Sequence, residues 1–266
     1  MMNDLYGLVG RSISHSLSPD IHNTLFAEHG IDAEYKLFDV NSLNSAVKRL
    51  KNKRLKGVNV TKPFKLEILD HLDELDEDVE EIGSSNTVVQ LDGTLKGYNT
   101  DGVGAKKALE RFTDIKNKNI LQLGAGGAGR AIAYELAKSS KVMVLNRTLK
   151  KAKDLGEFGV KSGRLEKRKL KKELERSDIL INATSVGMNE EKSPIDSSYL
   201  NEDMLVLDIV YTPLKTKLLK DAERVGCMTV DGLWMLVYQA VKAFQIWTGI
   251  EPDPERVRKI VTEERR

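Results

Sequence analysis

Apolar positions along the chain fall into short continuous runs, separated by stretches in which they recur every three or four residues. Leu5–Val9, Tyr35–Val40 and Gly57–Val60 read as strands, and Pro19–His29 and Ser42–Lys51 have helical spacing. A further helix is expected from Pro63, since proline is well tolerated in a first helical turn. Asp92-Gly93 separates Thr87–Leu91 from Thr94–Tyr98, a hairpin signal that adds antiparallel strands to this half. After a helical stretch at Gly102–Arg111, strand-like runs follow at Ile120–Leu123, Val142–Leu145, Ile179–Asn182, Leu205–Ile209 and Met228–Val230. Helical stretches lie between them, and this alternation predicts an α/β fold with an open, mostly parallel sheet. The chain then ends in an apolar helix, Gly232–Trp247, and a charged one, Pro254–Glu264.

Residues 119–148 sharpen this outline. The run Ile120–Leu123 stops at a turn containing Gly124, Ala125, Gly126, Gly127 and Ala128, and Gly129 lies in the helical pattern that follows. Val142–Leu145 then leads into Asn146-Arg147-Thr148. This is one strand–glycine turn–helix–strand unit. Such glycines let the backbone approach a pyrophosphate, which rests on the free N–H groups of the helix N-terminus. An NAD site wants an acid at the end of the second strand, to bond the ribose 2′-hydroxyl. That place holds Arg147, whose planar, permanently charged fork suits a phosphate. The cofactor expected is therefore NADP. Lys150 and Lys151 either add positive charge beside a 2′-phosphate or are simply exposed.

Two helices after the last strand exceed what a nucleotide-binding sheet needs. They are expected to pack back on the N-terminal half. Residues 1–101 and 233–266 would then form a discontinuous substrate-binding and catalytic domain, and residues 102–232 a Rossmann-type NADP domain, with a cleft between them.

Composition narrows the classes. The 266 residues can bury a real core, and 42 basic against 40 acidic side chains leave a net charge of +2. No nucleic-acid or membrane partner is expected from so balanced a charge. The dense charge run Lys161–Arg176 has no interleaved aromatics and is read as a solvated helix. No run reaches the length of a membrane span and no signal-peptide pattern opens the sequence, so a cytoplasmic location is expected. Cys227 is the one cysteine, in an apolar stretch, and reads as a small core residue. The four histidines have no metal-ligand spacing, and no metal is expected.

Outside the nucleotide unit, polar islands stand where strands and helices meet. In His15–Asn23, Ser18 precedes Pro19 and reads as a helix N-cap, while Ser16 has no such structural role. Two hydroxyls beside free helix N–H groups suit a carboxylate, although capping alone would also account for Ser18. In Asn59–Lys65, Thr61 would cap the helix from Pro63 and Lys65 would lie in its first turn. The helix dipole disfavours a lysine there and favours its neutral form, which suits proton transfer. Two more islands are Ser84–Thr87 and Tyr98–Gly102. Asp101 either caps the next helix or holds the Lys65 ammonium.

Taken together the islands resemble the shikimate dehydrogenase family, over essentially the whole chain. The matching motifs, in order, are SLSPDIHN, NVTKPFK, IGSSNTV, GYNTDG, GAGGAGRA, NRT, NATSVGM and DGLWMLVYQA. The resemblance implies a split αβ catalytic domain clasping a Rossmann domain, and reversible reduction of 3-dehydroshikimate to shikimate by NADPH. It implies that Ser16 and Ser18 bind the substrate carboxylate, and that Thr61, Asn86, Asp101, Tyr211 and Gln239 hold the ring hydroxyls. Lys65 would be the catalytic acid/base with Asp101 as its partner. On the cofactor side it implies Gly124–Ala128 for the pyrophosphate and Asn146, Arg147 and Thr148 for the adenosine 2′-phosphate. Thr184, Ile209, Gly232 and Met235 would approach the nicotinamide, and Glu77 matches a position near the cofactor. The protein would be a monomer or homodimer in chorismate and aromatic amino-acid biosynthesis. The chain departs from the family pattern at Lys62, at Ser84-Ser85 and at Trp234, which stands where a glycine is usual beside the nicotinamide. Rivals are an NAD-dependent quinate/shikimate dehydrogenase, a folate-type methylene dehydrogenase and a non-catalytic metabolite sensor. Arg147, the Ser16/Ser18 pair and the retained Lys65 and Asp101 weigh against them in turn.

Overall fold

In the computed structural model, which describes residues 3–50 and 55–263, the first apolar run becomes strand β1 (Asp4–Gly10). It is followed by α1 (Ser18–Glu28), β2 (Ala33–Asp39), α2 (Leu43–Leu50), β3 (Leu55–Val60), β4 (Glu74–Leu75), α3 (Glu77–Ile82), β5 (Thr87–Leu91) and β6 (Thr94–Tyr98). These strands form one mixed sheet in the order β2-β1-β3-β5-β6-β4. β1 pairs in parallel with β2 and β3, and β5 runs antiparallel to both β3 and β6. Asp92 and Gly93 both have positive φ (49° and 93°), the backbone a type I′ hairpin turn requires.

Strand alternation gives this sheet two different faces. Val9, Val58 and Val60 point into an aliphatic core with Leu43, Phe64, Ile68, Val88 and Leu95. On the other side Tyr6, Tyr35, Phe26, His22, Phe244 and Trp247 pack as one aromatic cluster. Asn59 alternates onto this aromatic side, and there it acquires its chemistry.

The second sheet follows α4 (Asp101–Glu110). Its elements are β7 (Asn119–Leu123), α5 (Gly127–Ala137), β8 (Lys141–Asn146), α6 (Leu149–Lys153), β9 (Lys161–Arg164), α7 (Lys167–Leu174), β10 (Ile179–Asn182), β11 (Leu205–Asp208), α8 (Lys217–Val225) and β12 (Met228–Val230). All the pairings are parallel, in the order β12-β11-β10-β7-β8-β9. This is the Rossmann order, and it reverses between β7 and β10, where ligands bind beyond the strand ends in such folds. Leu121, Leu123, Leu180 and Val206 are fully buried, as strands covered on both faces must be. One expectation changes. The charge run is not a single solvated helix: Lys161–Arg164 forms edge strand β9, and only Lys167–Leu174 is helical. Gly163 is weak in a helix but seats β9 beside β8, where its hydrogen atom faces the Lys169 side chain.

α9 (Gly232–Thr248) and α10 (Pro254–Glu263) close the chain. By contacts the protein divides into Met1–Thr100 with Gln239–Arg266, and Asp101–Tyr238. In the first unit the Trp247 indole covers Gly57 and donates to Val88 O at 3.1 Å, while Arg256 of α10 bonds Glu28 of α1 at 2.8 Å. Among the described residues, no helix is long and apolar enough to cross a membrane.

Candidate active site

The first unit gathers polar side chains where water is excluded. Tyr35, Asn59, Asn86, Thr87 and Thr100 are all at most 5 % exposed. Buried polar groups need partners, and these find one another. The Tyr35 hydroxyl donates to Asn59 Oδ1 at 2.8 Å. The Asn59 amide donates to Thr87 Oγ1 at 3.1 Å, and Thr87 donates to Asn86 Oδ1 at 3.0 Å. The same Asn86 oxygen accepts the Thr100 N–H at 2.8 Å. Asn86 Nδ2 donates to Thr100 Oγ1 at 3.0 Å and to Gln239 Oε1 at 3.5 Å. At the other end Ser18 lies near enough to the Tyr35 phenol to bear on its titration, and Ser16 donates to Ser18 Oγ at 3.2 Å. One hydrogen-bonded line thus runs from Tyr35 to Gln239, with the Ser16–Ser18 pair beside the phenol.

Tyr35 anchors that line. Its backbone is held by the Asn23 side chain (2.8 and 3.1 Å), and its ring stacks on His22 with centroids 4.6 Å apart. Burial pushes the phenol far above its ordinary range, so it stays protonated and keeps donating to Asn59. The same burial lowers His22 to about 3, leaving a neutral imidazole in the aromatic cluster.

Two local expectations are corrected here. Ser18 is not the N-cap of α1: Leu17 occupies that position, and no side chain caps it. Ser16 does have a structural role, since its Oγ accepts the Ser18 N–H at 3.3 Å. The Ser18 hydroxyl instead accepts from Ser16 Oγ at 3.2 Å, so the acceptor for the Ser18 N–H comes from two residues upstream. Likewise no helix starts at Pro63. Residues 62–66 form turns, with a cis Lys62–Pro63 bond, and a 3₁₀ segment begins only at Glu67. Phe64 N–H bonds Thr61 O at 3.0 Å, and the ring of Phe64 is buried in the aliphatic core. Lys65 therefore does not lie in the first turn of a helix, and no helix dipole acts on it there. The lysine is positioned by tertiary contacts, its carbonyl accepting the Ser85 N–H at 2.8 Å. Ser85 in turn donates to Tyr98 O at 2.9 Å, and Asn99 donates to Ser84 O at 2.9 Å, which joins three of the polar islands.

In the second unit, β7 runs into the glycine turn. Gly124 has φ of 104°, and a Cβ there would lie 2.6 Å from Ala183 O. A Cβ on Gly129 would lie 2.7 Å from Gly124 O, so helix and strand approach as only glycine permits. Gly126, at the N-cap of α5, has open space in front of it. These features fit a dinucleotide pyrophosphate. Gln122 locks the turn, its amide donating to Gly124 O and Gly129 O at 2.8 Å each. At the end of β8 the Asn146 amide donates to Thr148 O at 2.9 Å. Arg147, Lys150 and Lys151 are exposed, and among the described residues no hydrogen-bond or ion-pair partner holds their side chains.

A second polar cluster lies at the ends of β10 and β11. Asp208 is fully buried and accepts from Asn182 Nδ2 (2.9 Å), Val210 N–H (3.0 Å) and Thr216 Oγ1 (2.7 Å). Burial pushes its carboxyl up to about 6, against the pull of these hydrogen bonds. Asn182 Oδ1 accepts the Thr184 N–H and hydroxyl at 3.1 and 2.7 Å, so Thr184 is oriented by a strand end. A Cβ on Gly232 would lie 2.5 Å from the Ile209 carbonyl carbon and oxygen, which lets α9 begin hard against that loop. Trp234 is turned onto the helix face of Tyr238, with the Arg111 guanidinium 3.8 Å from its ring centroid. Met235, one position on, lies about 100° around the helix from it.

Of the expected substrate residues, the structure pairs Ser16 with Ser18 and Asn86 with Gln239, and Thr61 and Lys65 stand at the turn tied to Ser85. Asp101 opens α4 immediately after Thr100, and Tyr211 follows β11; both belong to the second unit. Glu77 lies exposed in the first turn of α3. Sequence reasoning assigned no role to Tyr35, Asn59, Thr100, Asn182 or Asp208. Asn59 and Asn182 carried a usable signal, a polar residue at or next to the end of an apolar strand. Tyr35 carried none.

Comparison with known proteins agrees with this geometry. Three family models match in sequence: the shikimate dehydrogenase substrate binding domain at residues 8–88, shikimate/quinate 5-dehydrogenase at 106–233, and the shikimate 5′-dehydrogenase C-terminal domain at 232–262. A shikimate dehydrogenase (NADP(+)) of Pyrococcus abyssi is 53 % identical, with 97 % of each chain covered. A solved shikimate dehydrogenase in complex with NADP+ is 42 % identical with a TM-score of 0.92, over 98 % of this chain and 96 % of that one. The Thermus thermophilus enzyme solved with NADP(H) and shikimate is 36 % identical with a TM-score of 0.90, over 98 % and 99 %. With its Rossmann sheet, its glycine turn and its buried polar line all in place, the chain belongs to the shikimate dehydrogenase family.

Proposed function

We propose that the protein is an NADP-dependent shikimate dehydrogenase in which Lys65 is the catalytic acid/base and Asp101 its partner. The observation that carries the substrate assignment is the buried hydrogen-bonded line from Tyr35 to Gln239 with the Ser16–Ser18 pair beside it. It offers hydroxyl donors at one end, suited to a carboxylate, and amide and hydroxyl groups at the other, suited to ring hydroxyls. Shikimate carries these functions at opposite ends of a six-membered ring. The glycine turn and the uncommitted Arg147 support NADP.

When bound, NADPH supplies the hydride that reduces the substrate ketone. Lys65 donates a hydrogen bond to the ketone oxygen as negative charge develops there, and delivers its proton to that oxygen. Asp101 stabilises the lysine ammonium and orients it. Ser16 and Ser18 hold the carboxylate, while Thr61, Asn86, Gln239 and Tyr211 hold the hydroxyls and fix which carbon faces the cofactor. Because Asn86 is itself held by Thr87 and Thr100, its amide is pre-oriented and loses little entropy on binding. Thr184, Ile209, Gly232 and Met235 flank the nicotinamide. The single, buried Cys227 suits a reducing, cytoplasmic setting.

Replacing Lys65 with alanine lowers kcat by roughly 10²–10⁴ with a smaller change in KM. The measurement is absorbance of NADPH formed from NADP and shikimate, with quinate and NAD run in parallel. An unchanged kcat in the variant removes Lys65 from the chemistry. Equal turnover of quinate or NAD by the wild-type protein overturns the substrate or cofactor assignment.

A further inference from the structure

We propose that Arg164 is a second guanidinium for the cofactor's 2′-phosphate and a determinant of NADP over NAD. The inference rests on the NADP reading and extends it to a strand that carries no nucleotide-binding motif. Arg164 is the last residue of β9, and its register partner across the parallel pairing is Asn146, the last residue of β8. The pairing continues one residue further, Leu165 N–H donating to Asn146 O at 3.0 Å. Residues in register on neighbouring strands project from the same face of a sheet, and adjacent strands lie about 4.8 Å apart. Arg164 and Asn146 therefore leave the sheet side by side at its carboxyl edge, where parallel α/β sheets bind their ligands.

The chemistry of the pair matches the position. Arg164 is exposed, as is Arg147, and among the described residues neither guanidinium has a hydrogen-bond or ion-pair partner. Two planar, permanently charged forks on neighbouring chain segments, with no carboxylate committed to either, form a receptor for a dianionic phosphate. Lys169 does not share this role, since its side chain lies over Gly163 and its ammonium bonds Ser162 O at 3.4 Å. A different role is conceivable for a charge on this strand. β9 is the edge of its sheet, and basic residues there oppose edge-to-edge pairing. That role requires charge but no contact with a ligand, so the two make opposite predictions about binding.

Calorimetric titration of the purified protein with 2′,5′-ADP and with 5′-AMP separates them, since only the first ligand carries a 2′-phosphate. Arg164→Gln weakens 2′,5′-ADP binding roughly tenfold and leaves 5′-AMP unchanged. KM for NADP rises by a similar factor while KM for NAD stays the same. Arg164→Lys recovers part of the loss, because it restores charge but not the fork. Unchanged 2′,5′-ADP affinity, or equal weakening of both ligands, overturns the proposal. Arg147→Gln serves as the reference. If it loses 2′-phosphate discrimination and Arg164→Gln does not, Arg164 is ruled out while the NADP reading stands. If the wild-type protein itself binds the two ligands equally, the NADP reading falls.

Discussion

His22 and Asp208 are buried titratable residues, and burial, by favouring the neutral form of each, moves their pKa values in opposite directions. His22 is neutral in the fold at about 3 and ordinary when unfolded, so between these values the unfolded chain binds the extra proton. Its contribution is complete above pH 6.5 and is lost as the pH falls, by about 1.4 kcal/mol per unit. Asp208 is raised from 3.8 to about 6, so in that window the folded state binds the extra proton. Its contribution is present at low pH and declines as the pH rises towards 6. Urea unfolding of His22→Phe and Asp208→Asn across about pH 4–7 tests both signs. Relative to His22→Phe, the wild-type protein loses stability on acidification; relative to Asp208→Asn, it gains. A pH-independent difference for His22→Phe means that the imidazole is hydrated in the fold. Neither effect was legible in the chain, where His22 is one polar residue in a helical pattern and Asp208 ends a strand. Both follow from what surrounds them.

Among the elements, α9 joins the most consequences. It starts at Gly232, where a side chain would strike the Ile209 carbonyl, and it carries Gln239 near its middle and Trp247 near its end. Gly232→Ala forces the helix start away from the β11 loop, an overpacking that costs about 1–3 kcal/mol. The expected outcome is a lower denaturation midpoint together with a raised KM for NADP. Loss of stability with an unchanged KM separates the helix start from the cofactor site. The helix itself was evident from its apolar pattern, and so were the hairpin at Asp92-Gly93 and the five core strands of the Rossmann sheet. Two elements were not. Lys161–Arg164 has no apolar alternation, and becomes a strand only because β8 offers it an edge. Residues 62–66 read as a helix start because a proline and a cap residue look alike at a turn and at a first helical turn. Packing of Phe64 into the aliphatic core decides between them.

For the whole molecule, the proposed chemistry pairs Lys65 with Asp101, residues distant in the sequence. If the two act as one catalytic pair, their effects are not additive. The kcat of the Lys65→Ala, Asp101→Asn double variant is then close to that of Lys65→Ala alone. Multiplicative losses in a double-mutant cycle assign the two residues separate roles. The cofactor end yields to the same logic, with Arg147 and Arg164 compared on NADP and NAD.

Local signals carried much of this protein in its sequence. Hydrophobic period marks strands and helices, and a glycine is obligatory where φ is 104° or a helix must touch a strand. The replacement of an acid by Arg147 needs no fold to be read, because one position in the motif reports the 2′-phosphate. The polar islands, too, announced a site. How they act together depends on contacts between residues far apart in the chain, such as Tyr35 with Asn59 and Asn86 with Gln239, 24 and 153 positions distant. Hydrogen bonds of that kind have no periodicity and no composition. They exist because folding removes water from around groups that must then satisfy one another, and only the packed arrangement specifies which groups those are.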